Sequence, residues 1–116
     1  MDLTVERVGD VVVLAPQGML LGGKETDEFG VALRRFVDDG QKKILLDLGA
    51  TTFMSSIAFG MVIATHTNAA KHNLHFCVCN VARRIRSVWA TIPLLLKPPL
   101  EIYESREDAL QALAKL

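Results

Sequence analysis

Apolar and polar positions alternate over residues 3–8 (Leu3, Val5 and Arg7 against Thr4, Glu6 and Val8), the signature of a partly exposed strand. Gly9-Asp10 supplies turn chemistry, and Val11, Val12, Val13, Leu14 and Ala15 form an unbroken apolar run. The two segments are therefore expected to pair as a hairpin, which Pro16 and Gly18 end. A glycine-rich loop follows. Phe29, Leu33 and Phe36 then recur at helical spacing over residues 24–39, and Asp38-Asp39-Gly40 stops the pattern.

Residues 43–48, KILLDL, are a short continuous apolar run bounded by polar residues, as in a central strand. A connecting loop over 49–53 hands over to a helix expected from about Ser56 to Lys71. The pattern then predicts a strand at 74–79, a helix at 81–91, and a loop at 92–99 holding Pro93, Pro98 and Pro99. A short strand at 100–103 comes last before a helix N-capped by Ser105. Asp108 occupies the place where Glu or Gln would complete a capping box. Strands alternating with helices of this length require crossover connections and a mostly parallel sheet, so the chain reads as one α/β domain over 1–116.

Composition narrows the function. Half of the 116 residues are hydrophobic, which leaves room for an apolar patch beyond the core. The formal net charge is zero, so the basic excess that nucleic acid demands is missing. The longest apolar stretch, 57–64, is far short of a membrane span, and no targeting signal precedes Asp2, Glu6 and Asp10. Cys77 and Cys79 stand two apart on an expected strand, where a disulfide would close a strained ring; reduced thiols in a cytoplasm are expected.

Four chemical motifs are weighed, and none is taken as a catalytic or metal site. Residues 18–25, GMLLGGKE, follow the phosphate-loop pattern except at Glu25, where the magnesium-binding hydroxyl would be; a carboxylate there repels phosphate. Cys77 and Cys79 with His66, His72 and His75 lack the paired spacings of structural zinc, so no metal or other cofactor is expected. Arg83, Arg84 and Arg86 read first as a solvated helix face, with the rim of an interface as the alternative, and Trp89 reads as core. Ser55 and Ser56 lack the G-x-S-x-G elbow of a hydrolase nucleophile. Their place, where a buried strand passes to a helix, suits an N-cap, and it also tolerates a phosphate at the positive end of the helix dipole.

The whole pattern resembles the STAS domain of bacterial anti-sigma factor antagonists. The likeness runs through VVVLAPQG, KKILLDLGATTFMSS, HFCVCNVARRIRSV and EIYESREDALQAL. Against a family motif of roughly "vvlDls-x-v-x-fiDSsGlg", Asp47 matches the strand-end aspartate, Met54 the apolar residue, Ser56 the phosphorylated serine and Gly60 the second glycine. Ser55 stands where the family usually has aspartate, Ile57 replaces the second serine, Ala58 the first glycine and Phe59 a leucine. Ala58 and Phe59 are expected to make that surface bulkier and more apolar.

The resemblance implies an α/β fold of the STAS (SpoIIAA-like) type: a mixed, mainly parallel sheet with helices packed on one face. It implies a cytoplasmic binding protein, not an enzyme, that switches partners. Ser56 would be the phosphorylation site, and Asp47, Ser55, Ser56, Ile57, Ala58 and Phe59 the partner-binding residues. The implied partners are an anti-sigma factor with a histidine-kinase-like ATPase fold and a PP2C-type phosphatase; a homodimer is compatible with it. A STAS interaction or scaffold module without phosphorylation is the alternative, and a ligand-binding STAS domain for a nucleotide or apolar small molecule a third reading.

Overall fold

The expected hairpin forms from β1 (Leu3–Val8) and β2 (Val11–Pro16), paired antiparallel with Val8 opposite Val11. Gly9 turns the chain between them at φ +61°, a conformation that a side chain would strain. The computed structural model describes residues 2–85, 89 and 92–116. After β3 (Gly18–Leu20) come α1 (Lys24–Asp38), β4 (Lys43–Asp47), β5 (Thr51–Met54) and α2 (Ser56–Lys71). Then follow β6 (His75–Cys79), a 3-10 turn (Arg83–Ile85), a helical turn (Ile92–Leu95), β7 (Glu101–Tyr103) and α3 (Arg106–Ala114).

Five strands form one sheet in the order β1-β2-β4-β6-β7, antiparallel only at β1–β2. Strand alternation divides the core in two. Val12, Leu14, Ile44, Leu46, Phe76 and Val78 face α1 and α2, which contribute Phe29, Leu33, Ala58, Val62 and Ala69. Val11, Val13, Leu45, Cys77 and Cys79 face the other way and meet Ala109 and Leu113 of α3. The expectation of helices on one face thus describes α1 and α2, while α3 closes part of the opposite face. Burial on both sides explains why β4 reads as a continuous apolar run.

Three local expectations are corrected. Residues 18–20, expected as loop, are β3, and residues 51–54, the first three of which were expected as loop, are β5. The two pair in parallel as a separate two-stranded ribbon. The Thr51 hydroxyl anchors this ribbon by donating to the Pro16 carbonyl at 2.8 Å, and the Gly18 amide donates to the Ala50 carbonyl at 2.9 Å. Segments of three and four residues carry too little periodicity to announce themselves, and their pairing partner is remote in sequence. The third correction concerns the helix expected at 81–91. Residues 83–85 form a 3-10 turn and Val81 and Ala82 are non-helical, whereas Trp89 is helical as expected; residues 86–88, 90 and 91 lie outside the described set. The proline-containing loop also holds the helical turn Ile92–Leu95.

Leu46 is fully buried at the centre of the sheet beneath α1 and α2. Leu46→Ala is expected to lower unfolding free energy by about 2–5 kcal/mol, through lost transfer energy plus the cavity left behind. A urea-denaturation midpoint measures it.

Candidate functional site

The two serines stand where β5 passes into α2. The Ser55 amide donates to the Leu20 carbonyl at 2.8 Å, tying the helix entrance to β3. Ser55 is extended (φ −73°, ψ 167°), and its Oγ accepts from the Ala58 amide at 3.2 Å as the N-cap of α2. Ser56, the first helical residue, is exposed. The first turn of α2 holds no acidic residue, whereas α1 carries Glu25 and Asp27 there and α3 carries Glu107 and Asp108. The positive end of the α2 dipole is therefore not offset by a carboxylate of its own first turn.

Around the serines lies exposed apolar surface, of which sequence reasoning named Ile57 and missed Met19, Leu21 and Phe53. Met19 and Phe53 are cross-strand partners in the β3–β5 ribbon, 52% and 43% exposed. Leu21 follows β3 at 59%, and Ile57 stands beside Ser56 at 60%. Together they form an apolar ridge at the serine end of the molecule. The signal for it in the sequence is that Met19, Leu21 and Phe53 are large apolar residues in expected loops and that Ile57 follows Ser56 in the first turn of the expected helix.

Ala58 and Phe59 do not contribute to that ridge. Their side chains are buried, at 0% and 7% exposure, which corrects the expectation of a bulkier, more apolar surface. The α2 turn aims both inward: Ala58 packs in the core, and Phe59 meets Trp89 edge-on with ring centroids 4.9 Å apart. Such a pair adds about 0.5–1.5 kcal/mol beyond simple burial. The departures at these two positions from the family motif are therefore adjustments of packing.

Asp47 is likewise turned inward, with its carboxylate engaged rather than offered to a partner. Oδ1 accepts from the Gly49 amide at 2.9 Å and from Asn80 Nδ2 at 3.0 Å; Oδ2 accepts from Arg106 Nε at 2.7 Å. Arg106 reaches Glu6 of β1 at the same time, at 2.5 Å. Burial alone would push the Asp47 carboxyl up, but the hydrogen bonds from Asn80, Arg106 and Gly49 more than offset it and hold it below the ordinary carboxylate range. Arg106, overlooked in the sequence, is thus the counter-ion of the strand-end aspartate.

The other sequence candidates fall elsewhere. Residues 18–25 are divided between β3 and the start of α1, with Gly22 and Gly23 at positive φ between them, so no single loop wraps a helix end. Cys77 and Cys79 are free and buried, and burial foremost pushes both thiols up to about 12. His66 is buried and bonded through Nε2 to the Pro98 carbonyl at 2.5 Å, and His72 bonds through Nδ1 to the Asn68 carbonyl at 2.9 Å. Among the described residues, no cluster of three or more His, Cys, Asp or Glu side chains is placed to hold a metal ion, and no helix is long and apolar enough to cross a membrane. Arg83 is exposed; the Arg84 side chain and Arg86 lie outside the described set, while Trp89 is buried as expected.

A mixed five-stranded sheet, a helix opening on an exposed serine and an aspartate closing the central strand β4 define a recognisable class. The STAS domain model matches residues 2–109, and the chain belongs to this family. No curated protein sequence matches it. Solved structures share the fold. An anti-sigma factor antagonist from Mycobacterium paratuberculosis superposes with a TM-score of 0.83 at 22% identity, covering 97% of this chain and 93% of that one. The Bacillus cell fate determinant SpoIIAA in its phosphorylated form gives 0.75 at 18% identity, covering 97% and 99%. An anti-sigma-factor antagonist (STAS) domain protein from Planctomyces limnophilus gives 0.77 at 16% identity, covering 98% and 99%.

Two measurements test the site's construction. Ser55→Ala removes the N-cap acceptor and is expected to cost about 1 kcal/mol in denaturant unfolding. The depressed Asp47 carboxyl contributes stability that is complete above the unfolded-state value near 3.9 and is lost as pH falls through the lower folded value. Asp47→Asn should therefore be less stable than the wild type at neutral pH, and the difference should shrink as pH is lowered below about 4.

Proposed function

We propose that this protein is an anti-sigma factor antagonist working by partner switching. Its unphosphorylated form binds an anti-sigma factor of histidine-kinase-like ATPase fold through the ridge of Met19, Leu21, Phe53 and Ile57 around Ser56, and so frees the sigma factor for transcription. Phosphorylation of Ser56 by that kinase breaks the complex, and a PP2C-type phosphatase restores it. It acts in the cytoplasm as a binding protein and performs no catalysis itself.

The observation that carries this reading is Ser56 exposed at the start of α2 and flanked by exposed apolar side chains. A phosphate there adds about −1.5 to −2 charges. The helix N-terminus tolerates that charge, so the fold survives. A partner pressed onto the apolar ridge has to desolvate it, so the complex does not. The likeness to SpoIIAA, solved in unphosphorylated and phosphorylated forms, supports the same reading.

A second reading, a constitutive interaction module, draws support from Ser55 and Ile57. Ser55 replaces the family's usual aspartate, and Ile57 enlarges the apolar surface beside the acceptor. The two readings part in one experiment. Incubation with the cognate kinase and ATP, then site mapping, is expected to find phosphate on Ser56 and none on the Ser56→Ala variant. Ser56→Asp should weaken anti-sigma factor binding at least tenfold, while Ser56→Ala should bind as wild type. Equal binding of the two variants, with no phosphate on Ser56, would leave the constitutive module. Phe53→Lys should weaken binding under either reading, measured by calorimetry.

A further inference from the structure

A second exposed surface lies away from the ridge, along the outward faces of α1 and α2. A groove of about 350 Å3 runs between them. α1 lines it with Asp27, Gly30, Val31 and Arg34, and α2 with Met61, Ala64 and Asn68. Each set recurs every three or four residues, so the walls are two helical stripes side by side. At Gly30 the helices approach closely: a Cβ there would lie 2.8 Å from Met61 Sδ. The missing side chain leaves room for Met61 to lie over Gly30 and form the floor. Val31, 55% exposed, stands on the lip as a large apolar side chain facing water.

Charge gives this groove a register. Asp27 and Arg34 are seven residues apart, two helical turns and roughly 10 Å along the axis. Both are exposed, and among the described residues neither takes part in an ion pair. One end of the groove therefore attracts a cation and the other an anion, with apolar surface between them. A small polar molecule would bridge neither the length nor the apolar middle. A third helix would do both, since its own stripe at i, i+3/i+4 and i+7 meshes with the two walls.

We propose that the α1–α2 groove docks a single amphipathic helix of a protein partner. That helix carries an apolar stripe flanked by one basic and one acidic residue about two turns apart. The basic residue meets Asp27, the acidic residue meets Arg34, and the apolar stripe covers Val31 and Met61. This site is independent of Ser56 and of the switch proposed for it.

The test uses the full chain, 15N-labelled, titrated with three helix-stapled synthetic peptides of about 16 residues. All three share one apolar stripe and differ in the flanking pair seven residues apart: Lys with Glu, Lys with Lys, or Glu with Glu. The wild type should bind the Lys/Glu peptide best, by about two- to fivefold, the range of exposed ion pairs. Amide shifts should centre on Gly30, Val31 and Ala64. Asp27→Lys should transfer the preference to the Glu/Glu peptide, and Arg34→Glu to the Lys/Lys peptide. Val31→Asp should weaken all three, and Ser56→Asp none. Saturable shifts elsewhere on the molecule, no saturation at millimolar peptide, or a ranking unmoved by the charge reversals would each overturn the proposal.

Discussion

The carboxylate of Asp47 holds the molecule's functional end together. It closes β4, caps the turn at Gly49, takes the amide of Asn80 beyond β6, and receives Arg106 at the start of α3. Three segments far apart in sequence, at residues 47–49, Asn80 and Arg106, thus converge on two oxygen atoms. A charge this buried is costly unless fully bonded, and here its bonds come from the turn leaving its own strand, from the residue that follows β6 and from a helix on the far face. The chain leaving β4 consequently departs in one direction, and β5 and α2 inherit that direction. The position of Ser55 and Ser56 follows from it.

The second constraint is the β3–β5 ribbon. It is too short to be stable by itself, and it survives because Thr51 bonds to Pro16 and Ser55 bonds to Leu20. Leu20 is buried beneath it, while Met19 and Phe53 point outward on its other side. A small ribbon pinned at both ends offers a rigid platform for apolar side chains. Rigidity lowers the ordering cost that a partner would otherwise have to overcome on docking.

The four departures from the family's serine motif divide by burial. Ala58 and Phe59 look inward and are matched by core partners, above all Trp89. Ser55 retains a capping oxygen in place of a carboxylate, so the helix start is preserved without its charge. Ile57 alone changes the solvent-facing surface. Two of the altered residues therefore bear on packing, one on capping and local charge, and one on the face that a partner would meet.

Period and punctuation were enough to read β1, β2, β4, β6, β7, α1, α2 and α3 from the chain, because each carries its own alternation, apolar run, helical repeat, cap or bounding proline. The double serine as a helix N-terminus was legible for the same reason: a buried strand and an apolar helix leave only the junction between them. Beyond that reach lay everything that depends on a partner remote in sequence. β3 and β5 exist because each pairs with the other, about thirty residues away. Arg106 became part of the site because α3 crosses to the second face of the sheet, 59 positions from Asp47. Whether Ile57 faces water and Phe59 the core follows from the rotation of α2 against the sheet, since the first half of the helix, residues 57–64, is apolar all round and lacks the polar stripe that would show which side is buried.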